Sequence, residues 1–160
     1  MRSLRWIPDV APWKLAISPR PAGGDALHDE LRSWANEGVA SVVSLLEPRE
    51  ARDLELHQER VACQELGIRY LSYPIPDRGV PSSKHEFNRF LGEVLALLVQ
   101  GQALVVHCRA GIGRSGLVAG CLLCRKGVAF GRVFEVLSKA RGVPVPDTDE
   151  QSAWVQEFSA

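Results

Sequence analysis

The sequence predicts a single α/β domain with a central, parallel-rich mixed sheet flanked by helices. Three observations predict it. Short apolar runs rich in β-branched residues alternate with longer helical stretches along the chain. Glycines at 38, 67 and 101 close successive helical stretches, a common C-terminal signal. The 160 residues are 46% hydrophobic and 24% charged, enough for one core that needs no disulfide or metal.

The elements follow in chain order. Residues 1–24 hold four of the ten prolines and the pair Gly23–Gly24. They read as an extended N-terminal arm around one short strand, 14–17, on a domain spanning 1–160. Asp25 caps a helix that runs to Glu37. Residues 39–46 are mostly apolar and form a buried strand. Pro48 suits a first helical position, and one charged helix is expected from there to Leu66. Residues 68–73 make the next strand. Three prolines in 74–81 forbid both helix and central strand there, so this is a surface loop. Ser83 and Glu86 form a capping box that opens a long helix to Gln100. A short buried strand, 103–106, leads into a glycine-rich turn. Helices at about 114–126, 130–141 and 148–158 complete the chain.

Lys plus Arg and Asp plus Glu both count 19, for a formal net charge of zero. That balance argues against broad binding to nucleic acid or to an anionic membrane. No apolar stretch approaches the length of a membrane span. The start of the chain lacks a secretory pattern, because the run breaks at Pro8. Four scattered cysteines, 63, 108, 121 and 124, then read as reduced thiols of a soluble cytoplasmic protein. A monomer is expected.

In parallel sheets, ligands sit beyond the carboxyl ends of the strands, here after residues 46, 73 and 106. The segment His107-Cys108-Arg109-Ala110-Gly111-Ile112-Gly113-Arg114-Ser115 occupies one such place. A cysteine ends a buried strand, and five residues later an arginine opens a helix. The glycines let backbone N–H groups curl inward as an anion nest, and the helix start adds its own donors. The amides of Arg109, Ala110, Gly111, Ile112, Gly113 and Arg114 are therefore candidate phosphate binders, with the Arg114 fork on two oxygens. Cys108 at the floor of such a nest has its thiolate favoured and is placed for in-line attack on phosphorus. Ser115 is placed to donate to the sulfur, and His107 to point away and fix the loop. A buried cysteine is more often a small hydrophobe; the conjunction of His, Cys, Arg and Ser in a strand–loop–helix context is what outweighs that reading. No metal ligand set has suitable spacing, and no cofactor is assigned.

This nine-residue segment resembles the signature loop of the cysteine-based protein tyrosine phosphatase superfamily. The small dual-specificity branch is the nearest pattern, with the likeness running from about residue 38 to 158 in element order. The superfamily carries an aspartate general acid in a Trp-Pro-Asp loop upstream. Here Ile75-Pro76-Asp77 matches at Pro and Asp, 31 positions before Cys108. The resemblance implies that Cys108 is the nucleophile, Arg114 the phosphate anchor and Asp77 the acid. It also implies a phosphocysteine intermediate and a phosphorylated protein, or another phosphate monoester, as substrate. The chain has no room for the tyrosine-recognition loop of the longer classical enzymes, so phosphoserine and phosphothreonine should be admitted with phosphotyrosine. Gln151 resembles the glutamine that positions the hydrolytic water, although Thr148 and Gln151 also spell a capping box.

Other residues read more simply. Glu47 and Glu50 suit the start of a helix. Cys121 and Cys124 default to packing, with redox partnership to Cys108 as the alternative. His28, His57 and His85 have no ligand-like spacing. Trp6, Trp13, Trp34 and Trp154 read as core or docking aromatics. Three further readings stay open: a phosphoinositide phosphatase, an RNA 5′-phosphatase, and a catalytically silent phosphate-binding module.

Overall fold

The computed structural model describes residues 4–160; the first three residues of the expected N-terminal arm lie outside the described residues. Five strands form one sheet in the order β1-β2-β5-β3-β4. They are β1 (Arg5–Trp6), β2 (Lys14–Ser18), β3 (Val39–Ser44), β4 (Arg69–Ser72) and β5 (Ala103–His107). Four run parallel, and β1 pairs antiparallel with β2 at one edge. The helices are α1 (Leu27–Asn36), α2 (Pro48–Asp53), α3 (Glu59–Glu65), α4 (Lys84–Val99), α5 (Gly113–Lys126), α6 (Phe130–Arg141) and α7 (Asp149–Phe158). The α/β single domain expected from the sequence is therefore observed.

Strand periodicity sends alternate side chains to opposite faces. Leu15, Ile17, Val43, Leu104 and Val106 meet residues of α4, α5, α6 and α7 in the larger core cluster. Their neighbours Ala16, Val42 and Val105 meet α1 and α3 in the smaller one, around a fully buried Trp34. β5 is buried at every position because it lies centrally, between β2 and β3, with helices on both faces. Replacing Trp34 with alanine would open a large cavity in the smaller cluster, at a cost of about 3–5 kcal/mol.

Several details differ from the sequence expectation. Asp25 lies inside a short 3-10 turn, Gly24–Ala26, and does not cap α1, which follows Ala26 without a side-chain cap. The segment read as an arm is woven into the sheet: β2 is an inner strand, and Leu4, Ile7 and Val10 are buried. The charged helix expected from Pro48 to Leu66 is two helices, α2 and α3, separated by residues 54–58. Glu55 adopts a left-handed backbone, φ 58°, which turns Leu56 into the smaller core cluster and presents the Glu55 carbonyl to Gly24 N–H. Burial of one leucine and one loop-to-loop hydrogen bond outweigh local helix propensity there. The strand expected to reach Leu46 stops at Ser44, where Leu45 N–H crosses to the His107 carbonyl.

Candidate active site

β5 ends at His107, and residues 108–112 curl into the start of α5. Gly111 makes the curl possible. It sits at φ +70°, and a Cβ there would lie 2.4 Å from the Ser18 carbonyl carbon. The side chain of Arg141 on α6 braces the loop from outside, donating to the carbonyls of Gly111 and Ala110 at 3.2 and 3.0 Å. The cavity it borders holds about 240 Å³ and is lined by Cys108, Arg109, Ala110, Ile112, Gly113, Arg114, Asp77, Arg78 and Asp147. Cys108 is 2% exposed, at its floor.

Arg114 is buried at the start of α5, and its guanidinium is heavily engaged. Nη1 donates to Glu50 Oε1 at 2.7 Å and to the Ile75 carbonyl at 3.0 Å. Nη2 donates to Glu50 Oε2 at 2.8 Å and to Asp77 Oδ1 at 3.2 Å. Burial works against the Arg114 charge, yet Glu50, Cys108 and Asp77 outweigh it and raise its pKa. Burial likewise pushes the Glu50 carboxyl up, but the bonds and charge of Arg114, the Glu47 amide and Arg109 hold it below the usual carboxylate range.

The loop carrying Asp77 is anchored at both ends and exposed at its tip. Ile75 is completely buried, and its N–H reaches the Leu45 carbonyl. An aliphatic side chain thus serves as the anchor at the position before Pro-Asp. Gly79 N–H returns to the Pro76 carbonyl, closing a turn with Asp77 and Arg78 at its centre. Arg78 has φ 60°, a turn position that favours glycine. Its guanidinium reaches across the cavity to Asp147 at 2.8 Å. Gln151 clasps the same loop from below: Nε2 donates to the Gly79 carbonyl at 3.1 Å. Its Oε1 accepts from the Asp147 and Thr148 amides, so the capping box is present as well. A Cβ on Gly113 would lie 2.9 Å from the Gln151 amide, which puts Gln151 against the nest.

His107 points away from the cavity into the protein. Nδ1 lies 3.2 Å from the Cys108 carbonyl and Nε2 lies 2.7 Å from Glu59 Oε2. Both partners are acceptors, so both ring nitrogens carry hydrogen. Burial disfavours that charge, but Glu59 and the Cys108 carbonyl outweigh it and raise the His107 pKa. Ser115 is fully buried, and its Oγ has no hydrogen-bond partner. The hydroxyl–sulfur bond expected from the sequence is therefore not formed in this state.

The structure brings His107, Cys108, residues 109–114, Asp77 and Gln151 to one place. Sequence reasoning missed three participants. Glu50 was read as a helix starter and does close a capping box with Glu47, but its carboxylate also holds Arg114. Glu59 and Arg141 carried no local signal. Cys121 stands apart on α5, where burial pushes its thiol pKa up; Cys63 is likewise pushed up, to about 12. All four cysteines are free. Among the described residues, no three His, Cys, Asp or Glu side chains group as a metal site. Among the described residues, no helix is long and apolar enough to cross a membrane.

A family model described as Tc-R-P, polymorphic toxin system, DSP-PTPase phosphatase, matches residues 18–128. The chain belongs to this family. The match takes in the Asp77 loop and the Cys108 nest and stops before α6, so Gln151 lies outside it. Among the relatives of this phosphatase-family domain, the protein named "Putative tyrosine phosphatase 067L" of Invertebrate iridescent virus 3 is 35% identical over 104 residues, 63% of this chain and 40% of the relative. Cyclin-dependent kinase inhibitor 3 of Rattus norvegicus is 31% identical over 97 residues, 59% of this chain and 45% of that protein. The aligned part is thus less than half the length of either relative. A solved structure of kinase associated phosphatase, with its catalytic-site cysteine replaced by serine, shares the fold at TM-score 0.85 and 21% identity, covering 98% of this chain and 93% of that one. Tk-PTP in its active form gives 0.78 at 26% identity, covering 98% and 96%.

Proposed function

We propose that this domain is a cysteine-dependent phosphatase. It hydrolyses phosphate monoesters on proteins, both phosphotyrosine and phosphoserine/phosphothreonine, through a phosphocysteine intermediate. The observation that carries the reading is the position of Cys108: it lies at the floor of a cavity whose walls include Arg114 and Asp77, themselves 3.2 Å apart.

The steps balance as follows. The substrate phosphate displaces Asp77 from Arg114 and takes its oxygens to that guanidinium and to the amides of residues 109–114. The Cys108 thiolate attacks phosphorus, and the bond to the leaving oxygen breaks. Asp77 gives its proton to that oxygen. Water then attacks the phosphocysteine and Asp77 takes its proton back. The P–S bond breaks, and inorganic phosphate leaves a restored thiolate. Ser115, whose hydroxyl lacks any other partner, donates to the sulfur as it leaves. The second amide hydrogen of Gln151, beside Gly113, is left to position the water. His107, paired with Glu59, holds the start of the loop from behind. No metal or cofactor has a part in these steps.

The partner in this reading is a phosphorylated protein, met by a monomeric domain in a cytoplasm; neither nucleic acid nor membrane is a partner. The family's description as a DSP-PTPase phosphatase supports a phosphorylated partner.

The experiment is hydrolysis of an aryl phosphate from about pH 5 to 8, without added metal, by the wild type and by Cys108→Ser. Turnover lost in Cys108→Ser, retained with a chelator and blocked by orthovanadate supports the assignment. Turnover retained in Cys108→Ser, or lost with a chelator, overturns it. Phosphate bound by a wild type that never turns over makes the domain a docking module instead.

A further inference from the structure

The carboxyl edge of the sheet carries a second pocket, between the ends of β3 and β4 and flanked by α2 and α3. It holds about 270 Å³. Its polar lining is Arg52, His57 and Arg60, with the hydroxyl-bearing residues Ser44, Tyr70 and Ser72; the rest is apolar, and no carboxylate lines it. That is a one-sided composition in a chain whose charges balance. Among the described residues, neither Arg52 nor Arg60 enters an ion pair. The Arg60 guanidinium lies instead over the Tyr70 ring, 4.9 Å from its centroid. The carboxylate whose charge reaches Tyr70 is Glu59. Its side chain is 1% exposed and is spent on His107.

Two exposed guanidinium groups without a carboxylate partner, beside hydroxyls in a concave site without acid, offer an oxyanion charge-assisted hydrogen bonds. The place also fits, since crevices beyond the carboxyl ends of parallel strands are where ligands bind in such sheets. The Cys108 cavity uses the crevice after β5; this pocket uses the one after β3 and β4. We propose that it is a second anion site, separate from the Cys108 nest, for a phosphate group, either free or carried on a side chain. α2 stands between the two sites. Glu50 on that helix grips Arg114, while Arg52, two residues on, lines the second pocket. The proposal does not depend on whether Cys108 turns over.

The test is a residue-resolved NMR titration of Cys108→Ser with inorganic phosphate and, separately, with O-phosphoserine. Backbone signals of His57, Tyr70 and Ser72 should shift saturably at millimolar ligand, alongside those of 109–114. Arg60→Glu should weaken the first set at least about tenfold and leave the midpoint of the second unchanged. Tighter binding of phosphoserine than of phosphate would assign the site to phosphorylated side chains, and the reverse order to free phosphate. Still signals at 57, 70 and 72, or shifts there that survive Arg60→Glu, overturn the proposal. A silent nest beside a responsive second pocket supports the proposal and counts against the catalytic reading alone.

Discussion

Glu50 holds Arg114 through both carboxylate oxygens, at 2.7 and 2.8 Å, with the arginine side chain 1% and the glutamate side chain 11% exposed. The pair spans 64 positions of sequence. It leaves Nη2 shared with the exposed Asp77, so in the proposed reaction an incoming phosphate competes with Asp77 and not with Glu50. Glu50→Ala should therefore leave the buried guanidinium with only the Ile75 carbonyl and the exposed Asp77 as partners, and cost up to about 3–5 kcal/mol. Because Glu50 is depressed in the folded state, its stabilisation is full above the ordinary carboxylate pKa, 4.5, and fades as pH falls through the lower folded value. Unfolding of wild type and Glu50→Ala at neutral pH and at about pH 3.5 checks both claims: the gap between them should shrink in acid.

His107 and Glu59 make a second buried pair, 2.7 Å apart and 48 positions apart in sequence. The folded pKa of His107 is raised, so its contribution is fully present below the unfolded imidazole pKa and is lost as pH rises through the folded value. Glu59→Gln removes the charge that holds the imidazolium and should cost about 3–5 kcal/mol at pH 6. It should also flatten the loss of stability above that pH. Urea unfolding at a series of pH values rising from about 6 reads this, and a variant whose stability falls as steeply as the wild type's would refute the pairing.

These two acids explain how far the site was legible in the sequence. Cys108, residues 109–113 and Arg114 form one short segment, and a nest at a strand–helix junction can be read from spacing. Asp77 was legible through its Pro-rich loop. Glu50, Glu59 and Arg141 were not, because their partners lie 30 or more positions away and no periodicity links them. The fold divides in the same way. Strand alternation and glycine stops marked the sheet and most helix ends. The break between α2 and α3 contains neither Gly nor Pro; it comes from the burial of Leu56. β1 is two residues long and exists through its pairing with β2, which no local pattern announces.

Asp77 sits at the centre of an exposed turn and touches Arg114 on one side only. In the proposed reaction it is the general acid, and there it matters in proportion to how badly the leaving group needs a proton. Asp77→Asn should slow phenyl phosphate hydrolysis by roughly 10²–10⁴-fold and slow a good leaving group, such as p-nitrophenol, far less. The acidic limb of the pH–rate profile should keep its position and the basic limb should disappear. Equal slowing of both substrates would reassign Asp77 to holding Arg114.

Gln151 joins two parts of the site that nothing else joins from below. Its Oε1 caps α7 through Thr148 N–H, and its Nε2 holds the Asp77 loop through the Gly79 carbonyl. Gln151→Glu separates the two roles, since a carboxylate keeps the acceptor and loses the donor. The cap should persist, and α7 should keep its amide protection. The loop loses one hydrogen bond and gains an oxygen facing an oxygen at about 3 Å, a change of roughly 1–3 kcal/mol. Amide exchange at residues 78–80 should accelerate about tenfold or more, and KM should rise as the loop samples open positions. If exchange there stays slow and α7 keeps its protection, Gln151 is a helix cap alone, and the loop is held by the Arg78–Asp147 pair across the mouth of the cavity.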